Sequence, residues 1–461
     1  MMERLDPLRN RPRSHDEFRL KLDSSRYEAA CFARMRASTT LEQTRSPLLV
    51  RILNQFGNWL GKAGLPRTQF RAASLIDIAK RRSDLNDFGD GDFFEPLSRL
   101  LESCRREARL NFIGKMALRT DVVRTLCNRL SMQRDRHLYP EIARQEIGEP
   151  IFIVGLPRSG TTLLHTLLAA DPEHRTPLTW EVMSPSPPTS DKREQRIRRA
   201  AKDVSALQWL APSFRRVHAL GAELPQECVG LMSPTFRSDQ FDTMYNIPSY
   251  RSWFLKQDLR PVYEYHRRFL QHLQYRRNAR RWVLKAPVHM FALPTLLSIY
   301  PSARFVQAHR DPLEAITSVS SLIAILRKVF SDGVDLAQIG RDALQYWSET
   351  TAVFMEERDG LAPARICDLY YHEIRRDPID AVRRIYEHFE WAFSSDTEAR
   401  MRTVLANQPR EQNGLHLYEP AQFGLVKEDV ESRFAPYCER FGLSTKVEKD
   451  QTERTNAVVS G

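Results

Sequence analysis

Cysteine is scarce. The 461 residues contain six, Cys31, Cys104, Cys127, Cys228, Cys367 and Cys438, and no two form a C-x-x-C pair. This excludes a disulfide-dense secreted scaffold, and no Cys/His cluster has zinc-ligand spacing. The expectation is a reducing, cytoplasmic setting with free, mostly buried thiols and no metal. No run approaches the ~18 consecutive apolar residues of a membrane span. The opening MMERLDPLRNRPRSHDEF is charged and lacks the apolar stretch of a secretory signal. Internal repeats are absent. Acidic residues are in deficit, with Asp+Glu 58 against Lys+Arg 69 and a formal net charge of +11. The arginines are spread along the chain, which favours an anionic small molecule over nucleic acid, although a merely solvated basic surface reads the same. With 42% hydrophobic and 28% charged residues, a wholly disordered or collagen-like chain is excluded.

Residues 1–148 read as helical. Leu97, Leu100, Leu101 and Cys104 recur at helical spacing, and Val50, Arg51, Ile52, Leu53 and Phe56 begin an earlier periodic stretch. Asp87–Asp92, with two glycines, is a turn. The character changes at 150–154, PIFIV, a short apolar run suited to a buried parallel strand. Similar runs occupy 281–285 and 303–308, with a weaker one at 364–369. Strands alternating with helices predict an α/β fold: P-loop-like and three-layered, with a central parallel sheet flanked by helices. The boundaries expected are a helical region 1–148, an α/β domain 149–445 and a flexible tail 446–461. Within the domain, 184–188 is a Pro-rich loop and 191–203 a charged, exposed helix.

The strongest feature is Gly155-Leu156-Pro157-Arg158-Ser159-Gly160-Thr161-Thr162, after a strand and before the apolar helix of Leu163, Leu164, Leu167 and Leu168. That context suits a phosphate-cradling loop, with backbone N–H groups and a helix N-terminus facing an anion. Ser159, Thr161 and Thr162 can add hydroxyl donors. The spacing imitates G-x-x-x-x-G-K-[ST], but Thr161 stands where that motif has lysine, and the cation is Arg158. Loss of the lysine argues against γ-phosphoryl chemistry. Arginine's planar fork can bridge two oxygens, such as a phosphate and a neighbouring sulfonate. A second strand, 303–308, runs into His309-Arg310-Asp311-Pro312-Leu313-Glu314. Asp311 caps the next helix, Pro312 suits its first position, and Glu314 completes a capping box. Arg310 then sits at the carboxyl end of a strand, where open α/β sheets bind ligands. Ser318 lies two turns into the helix.

Two anion sites on one sheet suit a nucleotide with a 5′ group and a 3′-phosphate. At this point the sequence resembles the sulfotransferase superfamily, which uses 3′-phosphoadenosine 5′-phosphosulfate and no metal. Arg158, Ser159, Gly160, Thr161 and Thr162 match its 5′-phosphosulfate loop. Arg310 and Ser318 match its Arg–(seven residues)–Ser pattern for the 3′-phosphate. The wording is most similar to a bacterial branch distantly like the tyrosylprotein sulfotransferases, and Asp87–Asp90, Trp180-Glu181, 284–289 and Phe423-Gly424-Leu425 look like further segments of that branch.

The resemblance implies in-line transfer of a sulfuryl group to a hydroxyl or amine acceptor. Arg158 is the first candidate to neutralise the bridging oxygen and Lys285 the second. Glu181 and His289 compete as the general base, Glu181 being favoured; Glu223 and Glu227 are outside candidates. Tyr371 resembles an adenine-contacting tyrosine, and His416, Tyr418 and Lys427 could close over the 3′-phosphate. The aromatic-rich segment 205–275 could line an apolar acceptor pocket or pack a helical lid. The alternatives are a P-loop kinase or NTPase with a substituted lysine, and a non-catalytic binding protein. The acceptor and the oligomeric state are not legible.

Overall fold

The computed structural model of the chain describes residues 50, 52–55, 57, 70–189, 191–217, 219–277, 280–407 and 419–443. Arg51, Phe56, His416, Tyr418 and the expected tail 446–461 lie outside them.

Helices α1 (Ala72–Ser83), α2 (Phe94–Arg106) and α3 (Phe112–Leu138) come first. Asn111 caps α3 by accepting from the Gly114 N–H at 2.8 Å. Five strands follow: β1 (Ile151–Gly155), β2 (His174–Arg175), β3 (Arg281–Lys285), β4 (Arg304–His309) and β5 (Ile366–Tyr370). They pair in the order β2-β3-β1-β4-β5, all parallel. Four match the sequence reading within a residue or two; at β5 the expected 364–365 are instead in a short helical turn, Pro363–Arg365. β2, only two residues long, offers no periodicity to read.

Strand residues alternate between two cores. Phe152, Val154, Leu284 and Phe305 face one core, which also holds Leu97, Leu100, Leu126 and Leu130 of the N-terminal helices. Ile151, Ile153, Val283 and Val306 face the other, against Leu164, Leu167, Val382 and Ile385. Burial on both faces is why these strands read as continuous apolar runs. The early helices therefore form one side of the three-layer core. Arg129, 3% exposed, fixes the Asp87–Asp92 turn by donating to the Phe88 and Asp90 carbonyls.

The charged helix α6, preceded by α4 (Thr161–Leu168) and α5 (Thr179–Met183), runs from Arg193 to Leu210. It is not wholly exposed: Arg196 is buried and donates to the carbonyls of Ser184, Pro185 and Pro187, pinning the Pro-rich loop. In the segment 205–275, Phe236, Phe241, Tyr245, Tyr250 and Tyr263 are fully buried, whereas Trp209 is exposed. α7 (Arg260–Gln274) ends this segment. Downstream come α8 (Pro312–Phe330), α9 (Leu336–Arg358), α10 (Tyr371–Arg376) and α11 (Pro378–His388), then α12 (Lys427–Phe441).

Candidate active site

β1 is where the strand order reverses. The chain leaves β1 toward β2 and β3 on one side, and leaves β4 toward β5 on the other. Open α/β sheets bind ligands outside the carboxyl ends at such a point. The turns after β1 and β4 are the two anion motifs of the sequence.

The first turn requires glycine. Gly155 has φ +128°, and a Cβ there would lie 2.3 Å from the Ala308 carbonyl oxygen of β4. Gly160, at φ +86°, precedes α4, and its Cβ would press on Ile374 and Tyr371. Arg158 also adopts a positive φ, +70°, a conformation that costs a side-chain-bearing residue of order 1 kcal/mol or more. Ser159 departs from the sequence expectation. It is wholly buried, and its hydroxyl donates to the Leu156 carbonyl at 2.7 Å, closing the turn instead of pointing to a ligand. α4 starts at Thr161, so its free N–H groups face the turn. Thr162 accepts from Lys285 Nζ at 3.2 Å. Lys285, the last residue of β3, is 3% exposed at its side chain and ion-paired with Glu227. Thr162 and Glu227 thus hold the cation at the loop.

The second turn reaches into the first. Arg310 Nη1 donates to the Arg158 carbonyl at 2.6 Å, and Arg158 Nε donates to Ser318 Oγ at 3.2 Å. Arg310 lies over the Tyr371 ring at 4.0 Å, so Tyr371 belongs to the crevice with one face already covered. Asp311 caps α8 as expected, accepting from the Glu314 N–H at 2.9 Å. The capping box is not completed: the Glu314 carboxylate instead accepts from Arg310 Nε and Nη2 at 3.1 and 2.9 Å. Behind Arg310, the Tyr437 hydroxyl of α12 contacts His309 Nδ1 at 3.0 Å. His309 Nε2 meets Asp368 at 2.8 Å. Burial opposes ionisation of Asp368, yet hydrogen bonds from His309 and Arg358 hold its carboxyl well below the usual range. Lys427 is away from this network, paired with Glu431 at 3.5 Å.

Among the described residues, neither the favoured Glu181 nor its competitor His289 bonds to the loop. Glu181 is buried, with Oε1 engaged by Arg175 at 3.1 Å and by Arg277, while Oε2 accepts the Leu178 N–H at 3.2 Å as a helix cap. Arg175 stacks on Trp282, three residues before Lys285. At ~3.3 Å per residue that is about 10 Å back along the strand from the carboxyl end. His289 is fully buried under β1, edge-on to Phe152, with Nδ1 bonded to the Tyr263 hydroxyl at 2.8 Å. Burial, then the neighbouring His266, push its pKa well below the usual value. Of the outside candidates, Glu227 is brought to the loop through Lys285. Its signal was faint, because spacing says nothing about a contact 58 residues away.

The sequence profile described as Sulfotransferase family matches residues 150–395. The chain belongs to this family. Sulfotransferase STF1 of Mycobacterium tuberculosis has a similar structure, with 33% identity and a TM-score of 0.71 over 79% of this chain and 98% of that one. Sulfotransferase STF9 of Mycobacterium avium gives 27% identity and a TM-score of 0.74, over 81% and 97% of the two chains. The omega-hydroxy-beta-dihydromenaquinone-9 sulfotransferases of Mycobacterium bovis and Mycobacterium tuberculosis are 28% identical over 284 residues, 56% of this chain and 67% of theirs. The chain is accordingly a sulfuryl-transferring enzyme, and the kinase alternative is not favoured. Among the described residues no helix is long and apolar enough to cross a membrane.

Proposed function

We propose that the crevice between β1 and β4 binds 3′-phosphoadenosine 5′-phosphosulfate and that the acceptor is a hydroxyl on an apolar molecule. The observation that carries the cosubstrate is the direct linkage of the two turns, Arg310 to the Arg158 carbonyl and Arg158 to Ser318. Two anion-binding turns in contact suit one ligand with two anionic ends. In this reading Arg158, Thr161, Thr162 and the backbone of Ser159 and Gly160 hold the 5′-phosphosulfate. Arg310 and Ser318 hold the 3′-phosphate, and Tyr371 flanks the nucleoside. Lys285, steadied by Glu227, neutralises the charge that develops on the bridging oxygen as the leaving group departs. The acceptor class is supported by relatives whose name gives an omega-hydroxy-beta-dihydromenaquinone as substrate.

Arg310→Ala tests the cosubstrate. The 3′-phosphate is remote from the sulfur and keeps its charge during transfer, so its contacts act on KM more than on kcat. Wild type should strongly prefer the 3′-phosphorylated cosubstrate over adenosine 5′-phosphosulfate, and Arg310→Ala should lose that preference. An equal preference in both proteins contradicts the site. In calorimetry, adenosine 3′,5′-bisphosphate should bind without magnesium.

Glu314 accepts from two of the Arg310 donors. Its carboxylate is exposed, and such pairs are worth about 0–1 kcal/mol. Glu314→Gln should therefore tighten bisphosphate binding by up to ~5-fold, and weaker binding by calorimetry would show that Glu314 instead orients Arg310.

A further inference from the structure

A cavity beside the crevice is lined by Asp239, Phe254, Val319, Ile323, Tyr346 and Trp347, among others. Two elements connect it to the phosphosulfate loop. Helix α8 carries Ser318 on the crevice side and Val319 and Ile323 in the cavity wall. On the other side, Thr162 contacts Lys285, the Cys228 N–H donates to the Lys285 carbonyl at 2.9 Å, and Ser238, the residue before Asp239, donates to the Val229 carbonyl at 3.2 Å. The walls are mixed, apolar on the side of Phe254, Val319, Ile323 and Trp347 and charged elsewhere, and four polar atoms of lining residues are buried without a hydrogen-bond partner: Asp239 Oδ1, Asp242 Oδ1, Tyr346 Oη and Arg327 Nε. Arg327 is 3% exposed. Unpartnered buried polar atoms are costly, and a ligand that supplies the missing partner accounts for them.

We propose that this cavity receives the hydroxyl-bearing end of an apolar alcohol acceptor, and that Asp239 takes the hydroxyl proton during transfer. The inference rests on the cosubstrate reading above and deepens it. The step balances. The acceptor oxygen forms a bond to sulfur as its O–H bond breaks, and the proton passes to the Asp239 carboxylate. The bond from sulfur to the bridging oxygen breaks, and its electron pair leaves with adenosine 3′,5′-bisphosphate. Asp239 then releases the proton to water.

The charges around Asp239 support the role. Arg251 is taken by Asp242 and Asp342 at 3.4 and 3.0 Å, and Arg327 by the Asp242 backbone carbonyl at 2.7 Å and its carboxylate at 3.6 Å. Among the described residues, Asp239 has no cationic partner at ion-pair distance. Burial, then the charges of Glu227 and Asp242, raise its carboxyl to about 7. A base with that pKa is part-ionised at neutral pH and matched to proton abstraction.

The test uses the full chain with labelled cosubstrate, and with 1-dodecanol and farnesol in detergent as acceptor probes. Wild type should sulfate at least one of them, with an acidic limb of kcat near neutrality. Asp239→Asn keeps the shape, so kcat should fall ~10²–10⁴-fold, the limb should vanish, and the Kd for adenosine 3′,5′-bisphosphate should stay within about twofold. Ile323→Trp, which fills the cavity, should abolish alcohol turnover and leave bisphosphate binding intact. An Asp239→Asn enzyme with wild-type kcat and pH profile overturns the inference. So does a wild type that binds the bisphosphate but sulfates neither alcohol. A wild type that does not bind the bisphosphate overturns the crevice assignment, and this inference with it.

Discussion

Arg158→Ala is expected to lower kcat at least a hundredfold at saturating cosubstrate. Losing one preorganised donor at the developing charge typically costs ~10²–10³ in kcat. Arg158 is preorganised in three ways: a positive φ of +70°, a bond from Nε to Ser318, and a bond from Arg310 to its carbonyl. Lys285 shares the task but approaches from β3 through Thr162, so it cannot take over the fork geometry. Arg158→Lys keeps the charge and loses the planar fork, and should fall between the two. The measurement is turnover of labelled cosubstrate by purified protein whose thermal melt matches wild type. A near-normal kcat in folded Arg158→Ala would sink the assignment of the loop.

The parts of this site that were legible in the sequence are those built by local geometry. Gly155 and Gly160 mark a turn that side chains cannot enter, and Asp311-Pro312 marks a helix start. Both signals lie within eight residues of the strand they follow, so reading them needs no knowledge of the fold. The parallel sheet was legible because strands buried on both faces have no polar alternation to confuse them. The base was not legible, because it depends on long-range packing. Trp180-Glu181 follows the loop in sequence, but β2 pairs with the amino-terminal half of β3 and takes Glu181 with it. His289 follows Lys285 closely, but the turn at Pro287–Phe291 folds it under β1. Glu227 and Asp239 lie in a stretch of short helices whose sequence shows no periodicity pointing to either carboxylate. Ser159 misled for a different reason: a hydroxyl in a phosphate loop can serve the ligand or the loop, and the choice is visible only once Leu156 is placed beside it.

The enzyme should lose stability steeply below pH 6.5 and approach unfolding near pH 5. His165, His266, His272 and His289 are each at most 1% exposed. Burial lowers the first two to about 3, His272 to about 4 and His289 well below the usual value. Each bonds through one ring nitrogen: to the Val283 carbonyl, the Tyr300 hydroxyl, the Pro185 carbonyl and the Tyr263 hydroxyl in turn. The unfolded chain binds protons at these sites below ~6.5, and the folded protein does so only at far lower pH, about 3 at His165 and His266 and about 4 at His272. Stability is therefore full above pH 6.5 and falls as pH drops, by about 1.4 kcal/mol per unit for each histidine. At pH 5 the four together cost about 8 kcal/mol. Asp239 acts in the opposite sense, because its folded pKa is raised to about 7 and the folded state binds the extra proton. It returns about 3 kcal/mol between pH 7 and 5, leaving a net loss near 5 kcal/mol. That is comparable with the whole stability of many domains, about 5–15 kcal/mol. Urea midpoints measured from pH 5 to 8 should fall sharply on the acid side, and His266→Gln with His289→Gln should flatten the slope even if both lower stability at pH 8. Equal midpoints at pH 5 and 7.5 would mean that these histidines take up protons in the folded state, which for His266 and His289 the surrounding rings of Phe152, Tyr263 and Tyr300 oppose.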